Sequence, residues 1–370
     1  MKVLITGSNG FIGKNLVCYI KYNTKYEILT FNRGDKLIDL KKRINSSDFI
    51  IHLAGENRPK DDKLFLKINS DLTKKLCKFI IQCNKKIPIL FSSSVKAKED
   101  SLYGKSKFSA ESILQNLNVT NKNPIYIFRL SNIFGKWSKP NYNSVVSTFC
   151  HNIANNLPIK INDENKILNL SHVDDVVSNF IKILRYKNHK EIVNWPKIKP
   201  AYNISLNDLA QIILNYKIFR DKSRINKVGK GFNRALYSTF MSYVPPNNFS
   251  IKIPKNQDNR GLFVEMLKTE DSGQFSFFTS KPGVIRGEHF HNTKTEKFLI
   301  VKGEAKFLFR NLLTDEILEI LTSEKNLKII DTIPGWIHSV ENIGNDMLIG
   351  IIWANEIFDK KKSDTIMMKV

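Results

Sequence analysis

Over the first 140 residues the apolar positions form short unbroken runs, each followed by a stretch in which they recur every three or four places. KVLIT (2–6) precedes a helical pattern over 14–21, YEILTF (26–31) one near 36–44, and DFIIHLA (48–54) one near 66–83. IPILFSSS (87–94) precedes one over 103–116, and IYIFRL (125–130) closes the series. Unbroken apolar runs suit strands covered on both faces, and helical stretches between them supply the right-handed crossovers that keep such strands parallel. The pattern predicts a doubly wound α/β domain. From about 143 to 240 it is mostly helical, with NSVVSTFCHNIAN and SLNDLAQIILNY as amphipathic stretches suited to a substrate lobe.

SYVPPNNFS (242–250) has no periodicity and a Pro and Asn cluster, which predicts a linker. Beyond it the pattern changes to short strands at close intervals: GLFVEMLK, GQFSFFTS, KFLIVKG, EAKFLFRN, EILEILT, LKIIDT and DMLIGIIWAN. Strands spaced this evenly predict an antiparallel barrel or jelly roll. The expected fold class is therefore α/β plus β, with residues 1–245 as a nucleotide-binding domain and 246–370 as a barrel domain.

Composition narrows the picture in three ways. Lys and Arg total 58 against 35 Asp and Glu, a formal charge of +23. The lysines are dispersed, with no basic run interleaved with aromatics, so nucleic acid is excluded as a partner and an anionic small substrate is favoured. The four cysteines (18, 77, 83, 150) form no CxxC pair and read as reduced, buried thiols. No apolar run approaches 18 residues and the chain opens directly on a strand, so no membrane insertion and a cytoplasmic location are expected.

The first strand runs into ITGSNGFIGKNL, which places Gly7, Gly10 and Gly13 between a strand and a helix. Glycines there allow a tight turn and close backbone approach to a pyrophosphate, and the helix N-terminus adds free N–H groups and a positive dipole end. The second strand ends on Asn32 and Arg33, where NAD sites usually carry an acid. An arginine there can pair with a 2′-phosphate, which favours NADPH. YGKSK puts Tyr103 and Lys107 one helical turn apart, just after the LFSSS strand that carries Ser93 and Ser94. An ammonium beside a phenol lowers its pKa, so Tyr103 can serve as an acid or base, with either serine holding a carbonyl oxygen.

These motifs resemble the extended short-chain dehydrogenase/reductases, the family of nucleotide-sugar epimerases, dehydratases and reductases. TGSNGFIG matches at Thr6–Gly13, HLAG at His52–Gly55, YxxxK at Tyr103 and Lys107, and RLSNIFG at Arg129–Gly135. The resemblance implies a catalytic set of Ser93 or Ser94, Tyr103 and Lys107. It also implies a cofactor site built from Gly7, Asn9, Gly10, Phe11, Ile12 and Gly13, with Asn32, Arg33, Leu53, Ala54, Gly55, Lys107 and Arg129.

In the last third, GEHFHNTKTEKFLIVKG carries His289 and His291 two apart, on one face of a strand, followed by Glu296. With the distant His338 they make three imidazoles and a carboxylate, donors suited to Zn, Fe, Mn or Ni. Residues 283–303 resemble the first motif of the cupin family, G(x)5HxH(x)4E(x)6G, and IPGWIHSVEN resembles its second, with His338 and Asn342. The resemblance implies a divalent metal, zinc first, held by His289, His291, Glu296 and His338.

A reductase joined to a cupin in this order resembles the bifunctional capsular polysaccharide synthesis enzymes of the UDP-N-acetyl-L-fucosamine pathway. KPNYNS, LYSTFMSY and the near-terminal ANEIFD carry that likeness. It implies C3 epimerisation of a UDP-2-acetamido-2,6-dideoxy-4-ketohexose by the cupin, then NADPH-dependent reduction at C4 to UDP-2-acetamido-2,6-dideoxy-L-talose, in a homodimer. The alternative is a plain NADPH-dependent ketosugar-nucleotide reductase whose barrel serves dimerisation or sugar binding. Lys136 and Lys139 are further candidates, as contacts for the UDP phosphates.

Overall fold

The computed structural model describes residues 1–57, 61, 65–252, 256–258, 261–263, 268–269, 273–356 and 361–370. By compactness the chain divides into two units: residues 1–144 with 168–204, and residues 145–167 with 205–370.

The first unit is built on six parallel strands, β1 (Lys2–Thr6), β2 (Glu27–Phe31), β3 (Phe49–His52), β4 (Ile89–Ser94), β5 (Ile125–Leu130) and a two-residue edge strand, Val193–Asn194. Their order is β2-β1-β3-β4-β5 followed by the edge strand. The crossovers are α1 (Phe11–Asn23), α2 (Leu37–Ser46), α3 (Leu72–Gln82), which π-helical turns over Leu66–Asp71 lead into, and α4 (Leu102–Asn121). Both sheet faces are buried. Val3, Ile5, Phe49, Ile51 and Phe128 pack with Leu16 and Ile20 of α1 on one face. Leu4, Ile50, Ile89, Phe91 and Ile127 pack with Leu40, Leu76, Ile80 and Leu114 on the other. That is why the strands read as unbroken apolar runs. Because β1 lies between β2 and β3, the order reverses there, and the carboxyl ends of β1 and β3 border the crevice where open α/β sheets bind ligands.

The second unit holds three helices, Val145–Ala154, Leu206–Asp221 and Gly231–Met241, and an antiparallel barrel. One five-stranded barrel sheet comprises β6 (Ser250–Lys252), β7 (Gln274–Ser280), β9 (Glu296–Lys302), β12 (Lys328–Asp331) and β14 (Leu348–Ala354). The other comprises β8 (Ile285–Phe290), β10 (Glu304–Asn311), β11 (Ile317–Ser323), β13 (Trp336–Asn342) and β15 (Ile366–Met367). Phe290, Phe298 and Trp336 are buried, with Phe298 packed edge-on to Phe278 and Phe307.

The SYVPPNNFS stretch departs from the linker expected of it. Phe249 is fully buried against Phe309 and Trp336, and Ser250–Lys252 pairs with β12. A buried aromatic and a strand register hold the segment that Pro and Asn marked as irregular. The predicted GLFVEMLK strand is described only over its first three residues, paired with Asn256–Asp258; its remainder lies largely outside the described residues.

Candidate active sites

Thr6 ends β1, and Gly7 follows with φ +72°, a conformation that side-chain-bearing residues rarely adopt. A Cβ on Gly7 would lie 2.8 Å from the backbone of Ala54, so the Leu53–Gly55 loop after β3 rests directly on the glycine loop. A Cβ on Gly13 would meet the Gly7 carbonyl oxygen at 2.3 Å. Gly10 caps α1 with no side-chain hydrogen bond, which leaves the first-turn N–H groups of Phe11 and Ile12 for an anion. Asn32 Oδ1 accepts from the Ser8 hydroxyl and the Asn9 N–H, each at 3.0 Å, tying the loop to the end of β2. Arg33 pairs with Glu56 at 2.6 Å while its side chain is 80% exposed. Glu56 is largely buried, but the guanidinium reaches it from solvent and is accessible to an incoming anion.

Tyr103, Lys107 and Glu111 follow one another at four-residue intervals on one face of α4. The Ser93 hydroxyl donates to Glu111 Oε1 at 2.5 Å, and Arg129 donates to both carboxylate oxygens of Glu111 at 2.9 and 2.6 Å while lying over the Trp195 ring. Ser93 is thereby occupied. The neighbouring Ser94 side chain accepts from the Lys96 N–H at 3.2 Å, and it lies near enough to Tyr103 to act on the phenol. The Lys107 ammonium donates to the Ser92 carbonyl at 3.0 Å; burial pushes its pKa down to about 8, against the pull of Glu111.

One electrostatic expectation is corrected. Burial raises the Tyr103 pKa above its ordinary value and the Ser94 side chain only partly opposes this, so the phenol stays protonated, as a proton donor requires. Lys136 is corrected too. It is buried, bridges both Asp174 oxygens at 2.9 and 3.2 Å, and is no surface phosphate contact. Lys139 is exposed, over the Tyr142 ring. Sequence reading missed Glu111, although the third step of the same four-residue spacing was there to signal it.

In the barrel, β8 and β13 run antiparallel, with His289 directly opposite His338. A bulge between Gly287 and His289 puts Gly287 at φ +94° and Glu288 at +52°, re-aiming the strand at its ligands. His289, His291, Glu296 and His338 bring four donor atoms within 4.8 Å of one another. His289 Nδ1 lies 3.0 Å from the Gly287 carbonyl and His291 Nδ1 lies 2.6 Å from that of Asp364. Those bonds place the protons on Nδ1 and leave each Nε2 with a lone pair. His291 Nε2 and His338 Nε2 lie 3.3 and 3.4 Å from Glu296 Oε2, yet neither ring nitrogen of His338 makes a hydrogen bond.

Burial, then His338 and His291, push His289 down to about 3; burial likewise lowers His338. Burial works against an ionised Glu296, but contacts with His291 and His338 outweigh it. Three imidazoles and a carboxylate turned toward a common point are electron-pair donors, and a divalent cation fits that set. Lys294, missed from the sequence, sits beside them with its ammonium 2.7 Å from Glu296 Oε1. Asn342, taken with the second motif, organises a turn instead: its amide donates to the Ser280 and Asp346 carbonyls.

Residues 3–195 match the NAD dependent epimerase/dehydratase family. The chain belongs to that family. Residues 256–366 match the polysaccharide biosynthesis C-terminal domain. Over its whole length the chain is 46% identical to the UDP-2-acetamido-2,6-beta-L-arabino-hexul-4-ose reductase of Pseudomonas aeruginosa, covering 99% of that protein. The capsular polysaccharide assembling protein CapF of Staphylococcus aureus superposes with a TM-score of 0.68 at 38% identity, with all of each chain covered. A UDP-glucuronic acid 4-epimerase of Bacillus cereus, solved with NAD, superposes at TM-score 0.52 and 20% identity over 58% of this chain and 84% of its own. This last likeness speaks for the fold alone. Family membership supports a nicotinamide cofactor for this chain. No helix among the described residues is long and apolar enough to cross a membrane.

Proposed function

We propose that the chain is a bifunctional nucleotide-sugar enzyme, with residues 1–245 as the reductase and 246–370 as a C3 epimerase. The substrate is a UDP-2-acetamido-2,6-dideoxy-4-ketohexose and the product UDP-2-acetamido-2,6-dideoxy-L-talose, an intermediate for N-acetyl-L-fucosamine in capsule or O-antigen. The full-length likeness to a UDP-2-acetamido-2,6-beta-L-arabino-hexul-4-ose reductase supports the substrate class. The observation that carries the bifunctional reading is the presence on one chain of two separate polar sets: Ser94, Tyr103 and Lys107 on β4 and α4, and the four donors of the barrel.

In the reductase, NADPH supplies the hydride when bound, with Gly7, Asn9, Gly10, Phe11, Ile12 and Gly13 holding its pyrophosphate side and Asn32 and Arg33 its 2′-phosphate. Leu53, Ala54 and Gly55 form the facing wall. Ser94 hydrogen-bonds the C4 carbonyl oxygen, and Tyr103 gives that oxygen its proton as the ketone becomes an alcohol. Lys107, an ammonium buried next to this pair, favours the negative charge that develops. Arg129 holds Glu111, and through it Ser93, out of the reaction.

In the barrel, a zinc ion held by His289, His291, Glu296 and His338 would supply Lewis acidity toward the ketose. The C3–H is acidic because it lies next to the C4 carbonyl, so epimerisation precedes reduction. Reduction then fixes the stereochemistry. As in the enzymes it resembles, we take the chain to act as a cytoplasmic homodimer; a monomer mass by light scattering contradicts that part.

Incubation of the 4-ketohexose substrate with NADPH, followed by product NMR, tests the reading. One molecule of NADPH consumed per L-talo product supports it. A reduced sugar with the starting C3 configuration leaves a reductase alone.

A further inference from the structure

Asp364 lies 73 residues beyond His291 in sequence, and every group of it that can accept a hydrogen bond faces the turn that joins the first histidine pair to Glu296. Its backbone carbonyl accepts from His291 Nδ1 at 2.6 Å. Its Oδ1 accepts from the Asn292 N–H at 3.0 Å and from the Asn292 amide at 3.3 Å. Its Oδ2 accepts from the N–H groups of Thr293 and Lys294 at 2.7 and 2.8 Å and from the Thr293 hydroxyl at 3.0 Å. Three consecutive backbone donors on one carboxylate are charge-assisted bonds, roughly twice as strong as neutral ones. They fix the path of residues 292–294, and therefore the distance from His291 to Glu296.

The segment carrying Asp364 is itself anchored twice. The following strand, Ile366–Met367, pairs with β8 so that Met367 lies opposite His289 and Ile366 opposite Phe290, and the Met368 N–H donates to the Glu288 carbonyl. On the other side, Arg234 of helix Gly231–Met241 bonds Glu356 at 2.8 Å and lies 3.7 Å from Asp364 Oδ2.

We propose that Asp364 is a positioning residue of the barrel site: its carbonyl fixes the His291 tautomer and its carboxylate holds the 292–294 turn, so that His291 Nε2 and Glu296 converge on one divalent cation. The inference rests on the reading of the four donors as a cation site and assigns a new residue to it. Outer partners that position ligating residues typically matter about 10–100-fold in metal affinity; substituting the side chain keeps the carbonyl on His291 but releases the 292–294 turn that spaces His291 from Glu296. A residue that merely braced the C-terminus would change the stability of the barrel and leave the affinity of the folded protein alone.

The test is titration of Co2+ and Zn2+ into metal-stripped full-length wild type, Asp364→Ala and Asp364→Asn, in competition with a chromophoric chelator. NADPH binding to the nucleotide-binding unit is followed in parallel as a control for folding. Wild type is expected to bind one equivalent. Asp364→Ala should bind about 10–100-fold more weakly with an altered Co2+ visible spectrum, and Asp364→Asn, which keeps one carbonyl acceptor, should fall between. Wild-type affinity and spectrum in Asp364→Ala overturn the inference. Should Asp364→Ala fail to bind NADPH, Asp364→Asn decides by the same two readouts. If wild type itself takes up no cation, the reading of the donor set fails, and the inference with it.

Discussion

The two polar sites of this chain differ in whether they are complete without a ligand. In the nucleotide-binding unit the polar side chains beside the candidate catalytic residues are paired, though Asn15 Oδ1 in α1 is not: Ser93 and Arg129 close on Glu111, and His52 sits between Thr6 and Thr73 at 2.6 and 3.0 Å. In the barrel, three imidazoles and a carboxylate converge, and both ring nitrogens of the buried His338 lack a hydrogen bond. Leaving such groups unpaired costs about 1–3 kcal/mol each, so they imply a missing counterpart, whereas the nucleotide site implies preorganisation. One site is largely closed by its own hydrogen bonds, and the other turns several donor atoms toward one point.

The sharpest way to break the contrast is at the barrel. His338→Ala should remove cation binding by more than the ~100-fold upper range for a supporting residue, and NADPH affinity should be unchanged; metal analysis and coenzyme fluorescence read both. Removing the proton donor comes next. Tyr103→Phe should lower the rate of C4 reduction about 100- to 10,000-fold with metal content intact, measured by NADPH oxidation on the ketosugar. Arg33→Ala should raise the KM for NADPH about tenfold, equivalent to ~1.4 kcal/mol, and leave that for NADH unchanged. The smallest effect concerns stability. Burial, then Lys107, pushes the fully buried His52 down to about 3. Between that value and the unfolded value near 6.5 the unfolded chain binds a proton that the folded one refuses, so His52 costs stability progressively as pH falls through this window and none above it. His52→Asn should flatten that part of the Tm-against-pH curve, and an unchanged slope would assign the acid sensitivity elsewhere.

The alternation of apolar runs with helical periodicity was legible because the central strands are buried on both faces, as Val3 to Ile5 and Phe49 to Ile51 are. Glycine spacing carried the nucleotide loop, since Gly7 and Gly13 are required by backbone contacts of under 3 Å. The clustering of the barrel histidines was partly legible because HxH on one strand is a local pattern. What could not be read was long-range. Asp364 reaches His291 across 73 residues, and Phe249 turns a Pro-rich stretch into a packed one through Phe309 and Trp336. Ser93 and Ser94 look alike in sequence and are separated only by partners on another helix, Glu111 and Tyr103. Lys136 looked like a surface cation until Asp174 was placed beside it.

The central claim is that two chemistries reside in two separable sites. Proton NMR of the 4-ketohexose substrate in D2O with the Tyr103→Phe protein, with no NADPH present, tests it most directly. Loss of the C3 proton signal at the wild-type rate, together with no loss in His338→Ala, is the predicted result. A C3 proton that persists with wild type and with Tyr103→Phe alike would contradict the account and leave the barrel without chemistry of its own.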